Sequence, residues 1–102
     1  MAKLKLNPDP TFTAPVCIPV PGGEADPVAF TFKHRTREQV AEWLQNKEAS
    51  DAEAVLACAV GWDLADEFNA ENVARLCNNY PGAAGAIVVA YLEELRGARA
   101  KN

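Results

Sequence analysis

The sequence predicts an α+β fold: an N-terminal β-hairpin followed by about four α-helices, mainly helical, with strands and helices segregated along the chain. Three observations predict it. Apolar residues alternate with period two from Phe12 to Val20 and again from Val28 to Phe32. Two capping boxes, at 36–39 and 50–53, then open segments of helical periodicity. The last third holds the longest helical pattern, "AAGAIVVAYLEELRGARA". With 102 residues, 49% of them hydrophobic, the chain reads as a single domain over 1–102. Residues 1–35 form an extended arm or hairpin, and residues 36–102 the helical part.

In the hairpin, Phe12, Ala14, Val16, Ile18 and Val20 all fall on even positions, and so do Val28, Phe30 and Phe32. Each strand therefore has one apolar face. The intervening "PGGEADP" reads as a long, mobile tip. Pro15, Pro19 and Pro21 are all odd. Backbone groups of alternate residues point to opposite strand edges, so the missing N–H donors gather along one edge. The first strand is expected to pair on one side and refuse a partner on the other. The second strand is then expected to present the only open edge. A β-bulge would upset this parity. A polyproline-like extended arm is the alternative for 12–21.

The helices follow in order. Thr36 and Gln39 form the first box, and Val40, Trp43 and Leu44 share a helical face running to about Asn46. Ser50 and Glu53 form the second box. Val55, Leu56, Ala59 and Val60 follow, with Gly61 as the expected stop. "GWDLADEF" is a connection. A third, short helix follows Asn69, with Val73, Leu76, Cys77 and Tyr80 inward. Pro81 suits the first turn of the last helix. Ile87, Val88, Tyr91, Leu92 and Leu95 form a broad stripe there, and Gly85 with its alanine neighbours permits close backbone approach. Arg96, Arg99 and Lys101 complement the negative end of the helix dipole.

Composition excludes several functions. The net charge is −4, made of +1 over residues 1–35 and −5 over residues 36–102. An acidic chain lacks the basic face that nucleic-acid binding requires. No apolar run approaches the roughly 18–20 residues that span a bilayer. The start lacks the apolar core of a signal peptide, so a cytosolic protein is expected. Cys17, Cys58 and Cys77 are odd in number and form no CxxC, and His34 is the only histidine. They read as buried free thiols in a reducing compartment, with no metal site. Catalysis is not expected. His34 sits at a strand end, away from any placed nucleophile, and Glu93 and Glu94 point about 100° apart on a helix. No phosphate loop is present, and no motif calls for a cofactor.

What remains is binding. "GWDLADEF" sets Trp62, Leu64 and Phe68 among Asp63, Asp66 and Glu67. Bulky apolar residues ringed by acids make a candidate partner-binding patch. The alternative is that Trp62 and Phe68 pack under the helices while the acids face water. The hairpin loop at 21–27 is a second candidate.

The segment 61–102 resembles the tail assembly chaperones of long-tailed bacteriophages. The resembling features are Gly61-Trp62-Asp63, the turn with Glu67, Phe68, Asn69, Glu71 and Asn72, the sequence Tyr80-Pro81-Gly82, and the small-residue helix ending near "YLEEL". The approach to the helices at 30–43, "FTFKHRTREQVAEW", agrees, so the resemblance covers roughly residues 28–102. It implies a non-enzymatic virion-assembly protein in the cytoplasm of the infected or lysogenic host, absent from the mature virion. It implies that the protein binds and solubilises the tape measure protein, which is long, helical and apolar along one stripe. It also implies help in recruiting tail tube protein, and it fits self-association into a homo-oligomer. The alternative is a small phage structural protein, a tail tube or head–tail connector component; a tube subunit would be dominated by strands. An enzyme or small regulator is the third reading, and no polar cluster or basic recognition helix supports it.

Overall fold

The computed structural model describes residues 2–46 and 49–97. An antiparallel hairpin joins β1, Thr11–Ile18, to β2, Asp26–Lys33, with Phe12 opposite Phe32, Ala14 opposite Phe30 and Val16 opposite Val28. The parity argument holds for Pro15; Pro19 and Pro21 lie beyond the end of β1. One step beyond β1, the His34 N–H donates to the Pro10 carbonyl at 2.9 Å. Even positions therefore exchange hydrogen bonds across the hairpin, and the odd positions of β1, Pro15 among them, face outward. The even side chains Ala14, Val16, Ile18, Val28, Phe30 and Phe32 are buried on one face. On the other face Thr13 and Thr31 sit in the open with their hydroxyls 3.4 Å apart.

A tight turn closes the tip. The Gly23 N–H donates to the Val20 carbonyl at 2.9 Å, and Gly22 has φ +74°. Pro at the second position and a positive-φ Gly at the third make a type II turn. Pro19 then rests on Gly82, where an added Cβ would lie 3.1 Å from the ring. That close approach docks the tip onto the start of the last helix.

Both capping boxes form. Thr36 caps α1, Arg37–Leu44, and Ser50 caps α2, Asp51–Cys58. Two expectations fail here. The first helix stops short of Asn46, and no α1 residue is fully buried; Leu44 is 44% exposed. The second helix ends at Cys58, not near Gly61. Ala59 turns to extended backbone, and Ala59–Trp62 becomes a third strand, β3. The sheet order is β1-β2-β3, so the edge of β2 expected to stay open is occupied. Thr31 pairs with Gly61 and Phe30 with Trp62, while Phe32 pairs with Ala59, leaving Val60 as the extra residue of a bulge. Unpaired backbone groups on β2 outweighed a weak preference for one more helical turn.

Asn69 caps α3, Ala70–Asn79, by accepting the Asn72 N–H. Val73 is buried and Leu76, Cys77 and Tyr80 half-buried, as the spacing predicts. α4, Ala83–Arg96, starts two residues after Pro81, which sits in the preceding turn. Its buried face is Ala83, Ala84, Ile87, Ala90 and Tyr91, so the contact line runs through alanines; Val88, Leu92 and Leu95 are only half-covered. Gly85 is exposed and meets no neighbour, so it plays no part in close approach. Arg96 lies in the last turn; Arg99 and Lys101 fall outside the described residues.

The core sits between the even face of the sheet and the helices α2 and α4. Phe30, Phe32 and Tyr91 are fully buried, and each such ring contributes roughly 2–3 kcal/mol by leaving water.

Candidate functional site

Two open concavities lie toward opposite ends of β2. The first forms around the predicted patch. β3 delivers Trp62 from the sheet, where its ring meets Phe30 edge-on at 6.0 Å and Phe68 edge-on at 5.0 Å. The indole Nε1 donates to the Asp66 carbonyl at 2.7 Å. Asn72 donates to the Glu67 carbonyl at 2.7 Å, so the loop 63–69 is tied at both ends. Trp62 and Leu64 line a cleft of about 330 Å³ with Ile18, Val28, Leu76 and Tyr80. Asp26 and Asp66 also border it, against a single cation, Arg75, which donates to Asn72 at 3.2 Å.

The patch thus has a divided role. Trp62, Leu64 and Phe68 are all half-buried and pack against the core. Trp62 and Leu64 still offer a face to the cleft, while Phe68 stands behind Trp62 and does not line it. Asp63 turns to the sheet: its carboxylate accepts the Ala29 N–H at 3.0 Å. From the hairpin, Val20 just beyond β1 and Asp26 at the start of β2 contribute to the same cleft.

The second concavity has no counterpart in the residues nominated from sequence. It lies between α1 and the C-terminal half of α4, with a volume of about 510 Å³. Val40, Ala41, Leu44, Leu92 and Leu95 form its apolar floor, and Arg35, Arg37 and Arg96 border it. A signal for it was present. The α4 stripe from Ile87 to Leu95 is broader than one neighbouring layer can cover, so part of it had to remain half-open.

Arg35 fixes the wall between groove and core. Its guanidinium lies 4.7 Å over the Trp43 ring and donates to the Tyr91 hydroxyl at 3.1 Å. Tyr91 in turn donates to the Lys33 carbonyl at 2.8 Å and meets Trp43 edge-on at 5.4 Å. Burial raises the Tyr91 pKa, while Arg35 opposes that shift.

Reactive groups do not converge. Cys58 is buried, and burial pushes its thiol up to about 12 despite the nearby Arg35. Cys77, half-buried, is also raised by burial and by Asp51. Cys17 is exposed, correcting the expectation of three buried thiols. Its odd position on β1 turns it to the solvent face. Such thiols are poor nucleophiles where burial raises them. Among the described residues, no group of three or more His, Cys, Asp or Glu could hold a metal ion, and no helix is long and apolar enough to cross a membrane.

No curated protein and no solved structure matches this chain at a significant level. A family model described as phage tail assembly chaperone matches residues 1–102, its whole length. With the α+β architecture and two apolar concavities in place, the conclusion is that the chain belongs to the phage tail assembly chaperone family.

Proposed function

We propose that this chain binds the tape measure protein and keeps it in solution, and that it helps recruit tail tube subunits, without catalysing a reaction. The observation that carries the reading is the groove between α1 and α4. It offers half-open leucines and a valine to a helical guest, with Arg35, Arg37 and Arg96 beside them. An amphipathic helix docks in such a groove by seating its apolar stripe. Acids flanking that stripe would meet the arginines. The Trp62 cleft, with Leu64 lining it and Phe68 supporting Trp62, serves a second partner. Weak contacts suffice, because many copies along a rod-like client add up. The work takes place in the host cytoplasm, and the protein leaves before the virion is complete.

The alternative of a tail tube or connector component draws less support. A tube subunit is expected to be strand-dominated, and among the described residues three strands, one of them four residues long, stand beside four helices. The test is co-expression with consecutive tape measure segments, measuring how much of each stays soluble. Segments rescued by this chain bear the proposal out. Segments equally insoluble with and without it would overturn it.

A further inference from the structure

We propose that the Trp62 cleft recognises its partner by a cationic side chain set beside a bulky apolar one, opposite in charge to what the α1–α4 groove accepts. The inference rests on the reading above that this cleft receives a second partner, and it names the chemistry of the segment received.

Three observations assign that chemistry. The floor is apolar, through Ile18, Val28, Trp62, Leu64 and Leu76. At about 330 Å³ the cleft stands at the small end of ligand sites, which suits the side chains of one short segment. Asp26 and Asp66 stand at its border and are exposed. Among the described residues neither carboxylate has a hydrogen bond or an ion pair. The third observation is the C-terminal end of α3. Leu76, Asn79 and Tyr80 bring its last turn to the cleft, and that turn carries no basic side chain. The negative end of the helix dipole is left for an incoming cation. Arg75 is the lone cation at the cleft, and it donates to Asn72 at 3.2 Å. One positive charge against two carboxylates and a helix end leaves the cleft negative.

The groove has the other sign. Arg35, Arg37 and Arg96 border it, and among the described residues no acid lines it. One small chain thus carries two apolar concavities of opposite charge. Apolar contact alone does not tell one greasy segment from another, whereas like charges brought face to face do. A client stripe flanked by acids is repelled from the cleft, and a segment bearing Lys or Arg is repelled from the groove. In an extended segment, a cation and an apolar anchor two residues apart lie on the same side. A lysine or arginine stem can also lie along the apolar floor while its head reaches the rim carboxylates. Because Asp26 and Asp66 are exposed, each pair with a cation changes affinity by only about twofold to fivefold. The charges therefore sort partners, while the apolar floor holds them.

The test uses the full chain and three end-blocked peptides of equal length, identical in their leucines and flanked by arginine, serine or glutamate. Binding is read by NMR from the indole N–H signals of Trp62, in the cleft, and Trp43, by the groove wall. At Trp62 the wild type is expected to bind the arginine peptide about tenfold more tightly than the glutamate peptide, with the serine peptide between. Asp26→Asn with Asp66→Asn is expected to level the three at Trp62, with an unchanged melting temperature because both side chains are exposed. Arg75→Gln is expected to tighten the arginine peptide by about twofold to fivefold. Opposite responses to opposite charge changes are not what a merely structural role would give. Four results would overturn the proposal: equal affinities for the arginine and glutamate peptides, a preference that survives loss of both carboxylates, no shift of Trp62 with any peptide, or a Trp62 signal that moves on dilution without peptide, which would show the cleft taken by another copy. Purified tail tube subunit in the same assay separates the two readings. A subunit that leaves Trp62 unmoved counts against that second partner, while the charge preference stands or falls on the peptides.

Discussion

Asp63 holds both backbone groups of Ala29: its carboxylate accepts the Ala29 N–H at 3.0 Å, and its own N–H donates to the Ala29 carbonyl at 3.0 Å. The pair continues the ladder that β3 begins on β2. Next along the same edge is Pro27, which has no N–H to offer. On the opposite margin, Pro15 interrupts the outer edge of β1. Both long strands of a marginal domain are thereby shielded from pairing with another sheet.

The Asp63 contact can be tested directly. Asp63→Ala removes the acceptor for the Ala29 N–H, and the site is exposed enough for water to replace part of it. The expected cost is about 1 kcal/mol, which lowers the melting temperature by about 4–8 °C in a domain near this size. Asp63→Asn keeps an oxygen in place and should lose less. Thermal unfolding of the two variants beside the wild type checks both.

Tyr91→Phe removes one hydroxyl and two hydrogen bonds, to the Lys33 carbonyl and from Arg35. The ring still fills its place against Phe32 and Trp43. The expected loss is about 1–2 kcal/mol. It should appear in urea denaturation as a lower midpoint with an unchanged slope.

Cys58 makes stability depend on pH in the alkaline range. Burial raises its thiol from 9.0 to about 12, so the folded state holds the proton longer than the unfolded chain does. That contribution is whole below pH 9 and is lost as pH climbs through 12. Tyr91 and Cys77 are raised too and act in the same direction. Denaturation midpoints should be flat up to about pH 9 and fall above it, and Cys58→Ala should flatten the fall. At neutral pH, a thiol reagent should modify Cys17 at once and Cys58 only on unfolding.

Much of this was legible from residue order. Parity alone placed the core faces of both long strands and Pro15 on an outer edge, while Pro19 and Pro21 fall beyond the strand at the turn. Thr36, Ser50 and Asn69 marked three helix starts, because a side-chain oxygen three residues ahead of an orphan N–H is a local feature. β3 was not legible. Four residues are too few for alternation to register, and Ala59 and Val60 continue a helical pattern equally well. Only the open edge of β2, distant in sequence, makes them a strand. The groove was missed for a related reason. Val40, Trp43 and Leu44 do share a face, but only Trp43 turns to the core, through Tyr91 and Arg35. The other two are left to border a concavity that exists only once α1 meets α4. Trp62, Leu64 and Phe68 do come together around one loop. Which of them supports and which faces outward depended on packing.

Binding of a tape measure helix to the wild type and to Leu44→Asp, by isothermal titration calorimetry, decides whether the α1–α4 groove holds the client. Leu44 is 44% exposed, so the variant should fold and melt like the wild type. The variant's affinity is expected to be weaker by about tenfold or more, because a carboxylate replaces an apolar contact and faces a flanking acid of the guest. Equal affinity for the two proteins would contradict it.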